Sequence, residues 1–185
     1  MSDAMRTHPL FSACGLNCGL CPRYHTQGAS KCPGCGGEGF LTVHPTCGIL
    51  SCCLRKGLDY CFLCDDFPCR RYDHAGLHDS FITYKNQFAD MDRAKRLGID
   101  DYSRMLHLKM QILEDLLLNF DDGRRKSFFC LAVNLLDLED INAIADRLAD
   151  ERDPQAPLKE KSKAAVRLFE ETAAKKGLSL KLRKR

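Results

Sequence analysis

Eleven of the twelve cysteines fall between Cys14 and Cys69, and only Cys130 lies outside that window. No other feature limits the fold of this chain as much. The cysteines come in four groups. "CGLNCGLC" supplies Cys14, Cys18 and Cys21, "CPGC" supplies Cys32 and Cys35, "CGILSCC" supplies Cys47, Cys52 and Cys53, and "CFLCDDFPC" supplies Cys61, Cys64 and Cys69. Three of the groups contain a C-x-x-C pair, whose tight turn brings two thiolates onto one ion while the intervening amides point at the sulfurs. Gly34 and Gly36 supply permissive backbone for such a turn, and Pro22, Pro33 and Pro68 stiffen the neighbouring ones. Large apolar residues are few and scattered across the same stretch, so a core alone does not hold it. Metal supplies the missing staples, since structural zinc contributes roughly 10–16 kcal/mol to folding.

Disulfides are the other use of dense cysteines, and they belong to exported chains. The opening residues "MSDAMRTHPLFSAC" hold no apolar run of signal-peptide length. No stretch approaches the ~18 apolar residues of a membrane helix. The expectation is a cytoplasmic protein with no membrane partner, whose reduced thiols bind metal.

The order and spacing of these cysteines resemble a prokaryotic cysteine-rich family of unknown function that is regarded as zinc-binding. Its pattern runs C-G-L-x-C-x-x-C, then C-x-G-C, then C-x-I-x-x-C with K-G following, then C-x-x-C-x-x-[FY]-P-C. The chain meets it at Cys14, Gly15, Leu16, Cys18 and Cys21, and at Cys32, Gly34 and Cys35. It meets it again at Cys47, Ile49, Cys52, Lys56 and Gly57, and at Cys61, Cys64, Phe67, Pro68 and Cys69. The resemblance spans about the first 70 residues. It implies a metal-binding module with ten cysteine ligands and brings no activity with it; Cys53 falls outside the pattern.

Two tetrahedral zinc sites need eight ligands, which leaves two of the ten cysteines over. The pairing stays open. Cys32, Cys35, Cys47 and Cys52 can share one ion in sequential order. An interleaved second site would use Cys18, Cys21, Cys61 and Cys64, with Cys14 and Cys69 replacing or supplementing members. His44 is a candidate nitrogen ligand or an exposed loop histidine. Thiolate-only coordination also suits iron–sulfur clusters, and Cys14, Cys18 and Cys21 have the spacing of a cluster ligand set. Radical enzymes with that spacing need a barrel of repeated strand–helix units, which this chain lacks.

Beyond the cysteines the pattern turns helical. Phe81, Tyr84, Phe88 and Met91 recur at helical spacing up to Gly98. Leu106, Met110, Leu113, Leu117 and Phe120 mark the apolar stripe of a long helix that Gly123 ends. "RRKSFFCLAVNLLDL" reads as a short buried helix, Asp137 caps the next one, and Pro157 to Gly177 bound the last. The tail "LSLKLRKR" suits a short strand or an extended arm. The expected fold is mainly α with an irregular, metal-stapled cysteine-rich N-terminal module and little sheet. Its expected parts are residues 1–72, a helical bundle over 73–150, and a basic helix and tail over 151–185.

Residues 154–185 carry ten Lys/Arg against three Asp/Glu, a net of +7. That charge attracts phosphate, but no aromatic residue lies among the final cations and no groove-reading motif accompanies them. Nucleic acid is therefore not the favoured partner, and a solubilising terminus is expected. Arg124, Arg125 and Lys126 precede a helix carrying Cys130. They form either an anion site with a reactive thiol or a solvated helix start with Cys130 in the core, and the second reading is the stronger. The function expected is that of a zinc protein with structural sites that binds a protein or small ligand, rather than an enzyme. The alternative is an iron–sulfur or thiol-redox protein that uses Cys14, Cys18 and Cys21, or surplus thiols such as Cys14 and Cys69.

Overall fold

The structure is a computed structural model that describes residues 6–73, 76–150, 153 and 155–184. Pro154 and Arg185, which open and close the basic segment, lie outside the described residues, as do the first five residues. The described chain is mainly helical and has no sheet, as the patterning implies. It divides into two compact units: residues 1–104 with 182–185, and residues 105–181.

The first unit holds the cysteines on short helical turns and loops. Single 3-10 turns cover Cys18–Leu20, Cys61–Leu63 and Arg70–Tyr72. Helix α1 spans Phe40–Val43, α2 Gly48–Lys56 and α3 Gln87–Leu97. Helix α4, Ile99–Asn119, begins in this unit and runs into the second. The core of the first unit includes Phe11, Leu20, Tyr60, Met91 and Tyr102, all buried. Phe11 packs against Tyr60 and Tyr102 with ring centroids 5.4 and 4.5 Å apart. The cysteine window is thus less bare than its own composition implies, because Phe11, Met91 and Tyr102 reach it from outside.

One expected helix is shorter than its spacing implies. Phe81 and Tyr84 precede α3 and are not helical. The carboxylate of Asp79 accepts the Tyr84 amide at 2.9 Å and the Thr83 hydroxyl accepts the Lys85 amide at 3.1 Å. These side chains take the amides that a helix would use. Gly98 ends α3 as expected, at φ +84°.

The second unit contains the rest of α4, then α5 (Lys126–Leu135), α6 (Leu138–Asp150) and α7 (Leu158–Lys175). Leu106, Met110, Leu113 and Phe120 are buried, but the stripe runs through Leu116, not the expected Leu117. Phe129, Ile141, Leu168 and Phe169 complete an apolar core. Lys109 is 4% exposed, and its ammonium donates to the carbonyls of Val133 and Leu136 at 3.2 and 2.6 Å. A cation there satisfies carbonyls that the end of α5 leaves without helical partners.

Cys130 is buried on α5 beside Phe129. The Asp121 carboxylate accepts the amides of Gly123 and Arg125 at 3.0 and 2.8 Å, and that of Asp122 accepts the Arg124 amide at 3.2 Å. These bonds shape the helix start, in line with its reading as structural.

Candidate functional site

The C-x-x-C pairs Cys18/Cys21 and Cys61/Cys64 fold alike. In each, a 3-10 turn closes with the second cysteine's amide donating to the first one's carbonyl at 3.1 Å. The pair at Cys32/Cys35 turns through Gly34 at φ +92°. A Cβ on Gly34 would lie 2.6 Å from the Pro9 carbonyl oxygen, so only glycine fits. Gly15 is required for a similar reason, since a Cβ there would lie 2.3 Å from Met91 Cγ.

Distant backbone contacts set where the pairs meet. The Cys35 amide donates to the Pro9 carbonyl at 2.8 Å, the Cys61 amide to Ala13 at 2.8 Å, and the Cys32 amide to Arg23 at 3.0 Å. Buried Arg6 joins the same region, donating to the carbonyls of Phe11, Cys35 and Asp59 at 2.9, 3.3 and 2.8 Å. Its guanidinium sits 4.7 Å from the centroid of the Tyr60 ring.

The opening motif is moored to α3 and α4. Asn17 donates to Asp90 at 2.9 Å and accepts from the Tyr102 hydroxyl at 2.8 Å. Gln87 Nε2 donates to the Cys14 carbonyl at 2.7 Å. Sequence reading missed Arg6, Asn17, Gln87, Asp90 and Tyr102 as residues that position the cysteines. Asn17 at least lies inside the opening motif, where a polar residue between two cysteines is the signal.

Cys14, Cys18, Cys21, Cys32, Cys35 and Cys47 line one cavity of about 150 Å³, together with His44. Cys52, Cys61, Cys64 and Cys69 line a second of about 460 Å³, with Cys53 in its wall. Neither expected pairing matches this grouping. Cys52 lines a different cavity from Cys32, Cys35 and Cys47, and Cys18 and Cys21 line a different one from Cys61 and Cys64. His44 Nδ1 lies 2.8 Å from the Pro45 carbonyl oxygen, which can only accept, so Nδ1 is the donor in that bond. Its ring stacks on Phe40 at 4.4 Å.

Electrostatics differ around the two cavities. Burial pushes the Cys14 thiol up to about 12, and the thiols of Cys35 and Cys47 add to the rise while a hydrogen bond from Ser12 opposes it. Burial likewise raises Cys18, Cys21 and Cys35. Crowded, buried thiols of this kind stay protonated unless a cation joins them, and a divalent ion reverses the preference. At the second cavity the Lys56 ammonium already provides a cation, 3.0 Å from Cys64 Sγ and 2.7 Å from the Asp66 carboxylate.

The donor chemistry therefore fits a thiophilic metal. The side-chain positions do not by themselves form a coordination shell. Among the described residues no group of three or more His, Cys, Asp or Glu is arranged to hold an ion.

No curated protein and no solved structure matches this chain. Residues 10–74, which contain all the cysteines of both cavities, match the family model described as Protein of unknown function (DUF3795), an uncharacterised domain.

Proposed function

We propose that residues 14–69 bind metal through cysteine thiolates, that the metal is zinc, and that its role is structural. The observation that carries this reading is the grouping of all ten pattern cysteines around two cavities, six at one and four at the other. Cys52, Cys61, Cys64 and Cys69 make one four-thiolate set. Cys18, Cys21, Cys32 and Cys35 make the other from two C-x-x-C pairs. Cys14 and Cys47 are then the surplus thiols. A site closed by four protein ligands leaves no open position for catalysis, so the protein acts as a binding or regulatory protein.

Elemental analysis of protein purified without oxygen tests this. About two zinc ions per chain are expected. Cys18→Ser and Cys64→Ser should each lose about one, and the double variant both. Cys130→Ser should lose none. Substoichiometric metal in the parent protein overturns the reading.

Six thiols around one cavity exceed the need of a single zinc ion, and this favours one second reading. In it Cys14, Cys18 and Cys21 hold an iron–sulfur cluster with a fourth cysteine of the same cavity. Iron with matching acid-labile sulfide, and visible absorption bleached by dithionite, would replace zinc with that cluster.

A further inference from the structure

A third cavity, about 580 Å³, opens beside the thiols and is lined by Cys14 and Cys47 together with Arg71, Tyr72, His78 and Gln87. Its size is that of a small-molecule site. Two features of its wall are unexplained by folding. Gln87 is 2% exposed, and its Nε2 is engaged with the Cys14 carbonyl, but its Oε1 is buried without a hydrogen-bond partner. The Tyr72 hydroxyl is likewise buried, with the weakly accepting Cys61 thiol beside it. Such groups are costly to leave unmade.

Outside one ion pair, the charge on the wall is that of Arg71. Asp79 also lines the cavity, but its carboxylate is held by the Arg183 guanidinium and by the Arg183 and Tyr84 amides. Arg71 is exposed and makes no ion pair among the described residues. Its planar fork matches a carboxylate or phosphate.

We propose that this cavity binds a small organic oxyanion, a carboxylate or a phosphate ester, that also carries a hydroxyl or amino group. Arg71 holds the anion. The donor of the ligand goes to Gln87 Oε1, which can only accept, and Tyr72 contributes its hydroxyl to the same group. Nothing in this assignment requires metal at the cysteines, so it stands or falls apart from the zinc reading.

Matched probes test it on the full chain by titration calorimetry, with metal content measured on the same samples. Malate and succinate differ by one hydroxyl, as do glycerol 3-phosphate and propyl phosphate. At least one pair should bind when tested up to roughly 10 mM, a range that reveals a millimolar Kd. The hydroxylated member should bind about fivefold more tightly, the worth of one hydrogen bond. Whichever pair binds identifies the anion. Arg71→Gln should weaken both members by about tenfold, the scale of a lost charged hydrogen bond. Gln87→Met should close the gap within the pair. Because it also gives up the bond to the Cys14 carbonyl, Tyr72→Phe is the companion variant. It removes only a hydroxyl beside the Cys61 thiol and should narrow the gap with little change in Tm. Failure of both pairs to bind, equal binding within the pair that binds, indifference to Arg71→Gln, or a gap that survives both wall variants would each overturn the proposal. Probe binding by parent protein that carries substoichiometric zinc would strike the metal reading alone.

Discussion

The two units solve the same problem with different materials. In residues 105–181 long helices satisfy their own backbone, and the interior is left to Leu113, Phe129, Ile141 and Phe169. In the first unit the cysteine loops expose carbonyls and amides that no helix or sheet can serve. Polar side chains go inside to serve them. Of the ten buried polar or charged residues described, seven lie in the first unit: Arg6, Ser12, Asn17, Thr83, Gln87, Asp90 and Ser103. Irregular backbone is compatible with a dry core only when something else completes its hydrogen bonds. Arg6, with three carbonyls on one guanidinium, shows how much one side chain can complete.

The contrast can be broken first by taking metal away. If zinc is the staple, chelation removes on the order of 10 kcal/mol from the first unit. Hydrogen exchange should then become fast at the turns Cys18–Leu20 and Cys61–Leu63 and remain slow in α5, α6 and α7. Protection that survives complete metal removal in both turns would mean that the aromatic core and Arg6 suffice. The converse perturbation is Phe129→Ala, which empties a fully buried site between Phe128 and Phe169. It should cost about 4 kcal/mol in denaturant unfolding of the second unit and leave metal content unchanged.

A smaller effect sharpens the comparison inside the first unit. Arg6→Met keeps the apolar stem but strands the carbonyls of Phe11, Cys35 and Asp59. A loss of about 3 kcal/mol is expected, against about 1 kcal/mol for Tyr102→Phe, which deletes one bond to Asn17. If the two variants unfold at the same denaturant concentration, Arg6 is not the organiser its contacts describe.

The smallest expected effect concerns pH. Burial opposes the charge on Asp79, but the Arg183 guanidinium and the amides of Tyr84 and Arg183 outweigh it and hold the carboxyl below its ordinary 3.8. A carboxyl depressed in the folded state stabilises above its unfolded value and loses that contribution as pH falls through its folded one. Deleting residues 182–185 should therefore lower the stability of the first unit near neutral pH. It should also flatten the acid dependence below 3.8. An acid limb of identical steepness in the truncated chain would assign the sensitivity to other carboxylates.

Helix ends were plain in the sequence because glycine announces them. Gly98, Gly123 and Gly177 all adopt positive φ where a helix was expected to stop. The stripe of α4 was legible to within one residue. The run Leu116–Leu118 offers three adjacent leucines, and only the rotation of the helix distinguishes buried Leu116 from Leu118 at 81% exposure. The family pattern marks ten of the cysteines but does not sort them. Their grouping depends on contacts such as the Cys35 amide on Pro9 and the Cys61 amide on Ala13, for which no local pattern exists. The helix expected from Phe81 failed because apolar spacing is silent about side chains such as Asp79 that claim nearby amides.

The basic tail was expected to be a solubilising terminus, yet Arg183 gives Asp79 both its amide and its guanidinium, each at 2.8 Å, and the Asp79 amide donates back to its carbonyl at 2.9 Å. This clasp joins residues 104 positions apart, across the whole of the second unit. On a ribosome, where synthesis runs at about 5–20 residues per second, Asp79 emerges roughly 5–20 s before its partner exists. The first unit to appear is thus the last to be finished. Until then its carboxylate at Asp79 and the segment it organises, with the cavity beside Cys14 and Cys47, are open to whatever the nascent chain encounters.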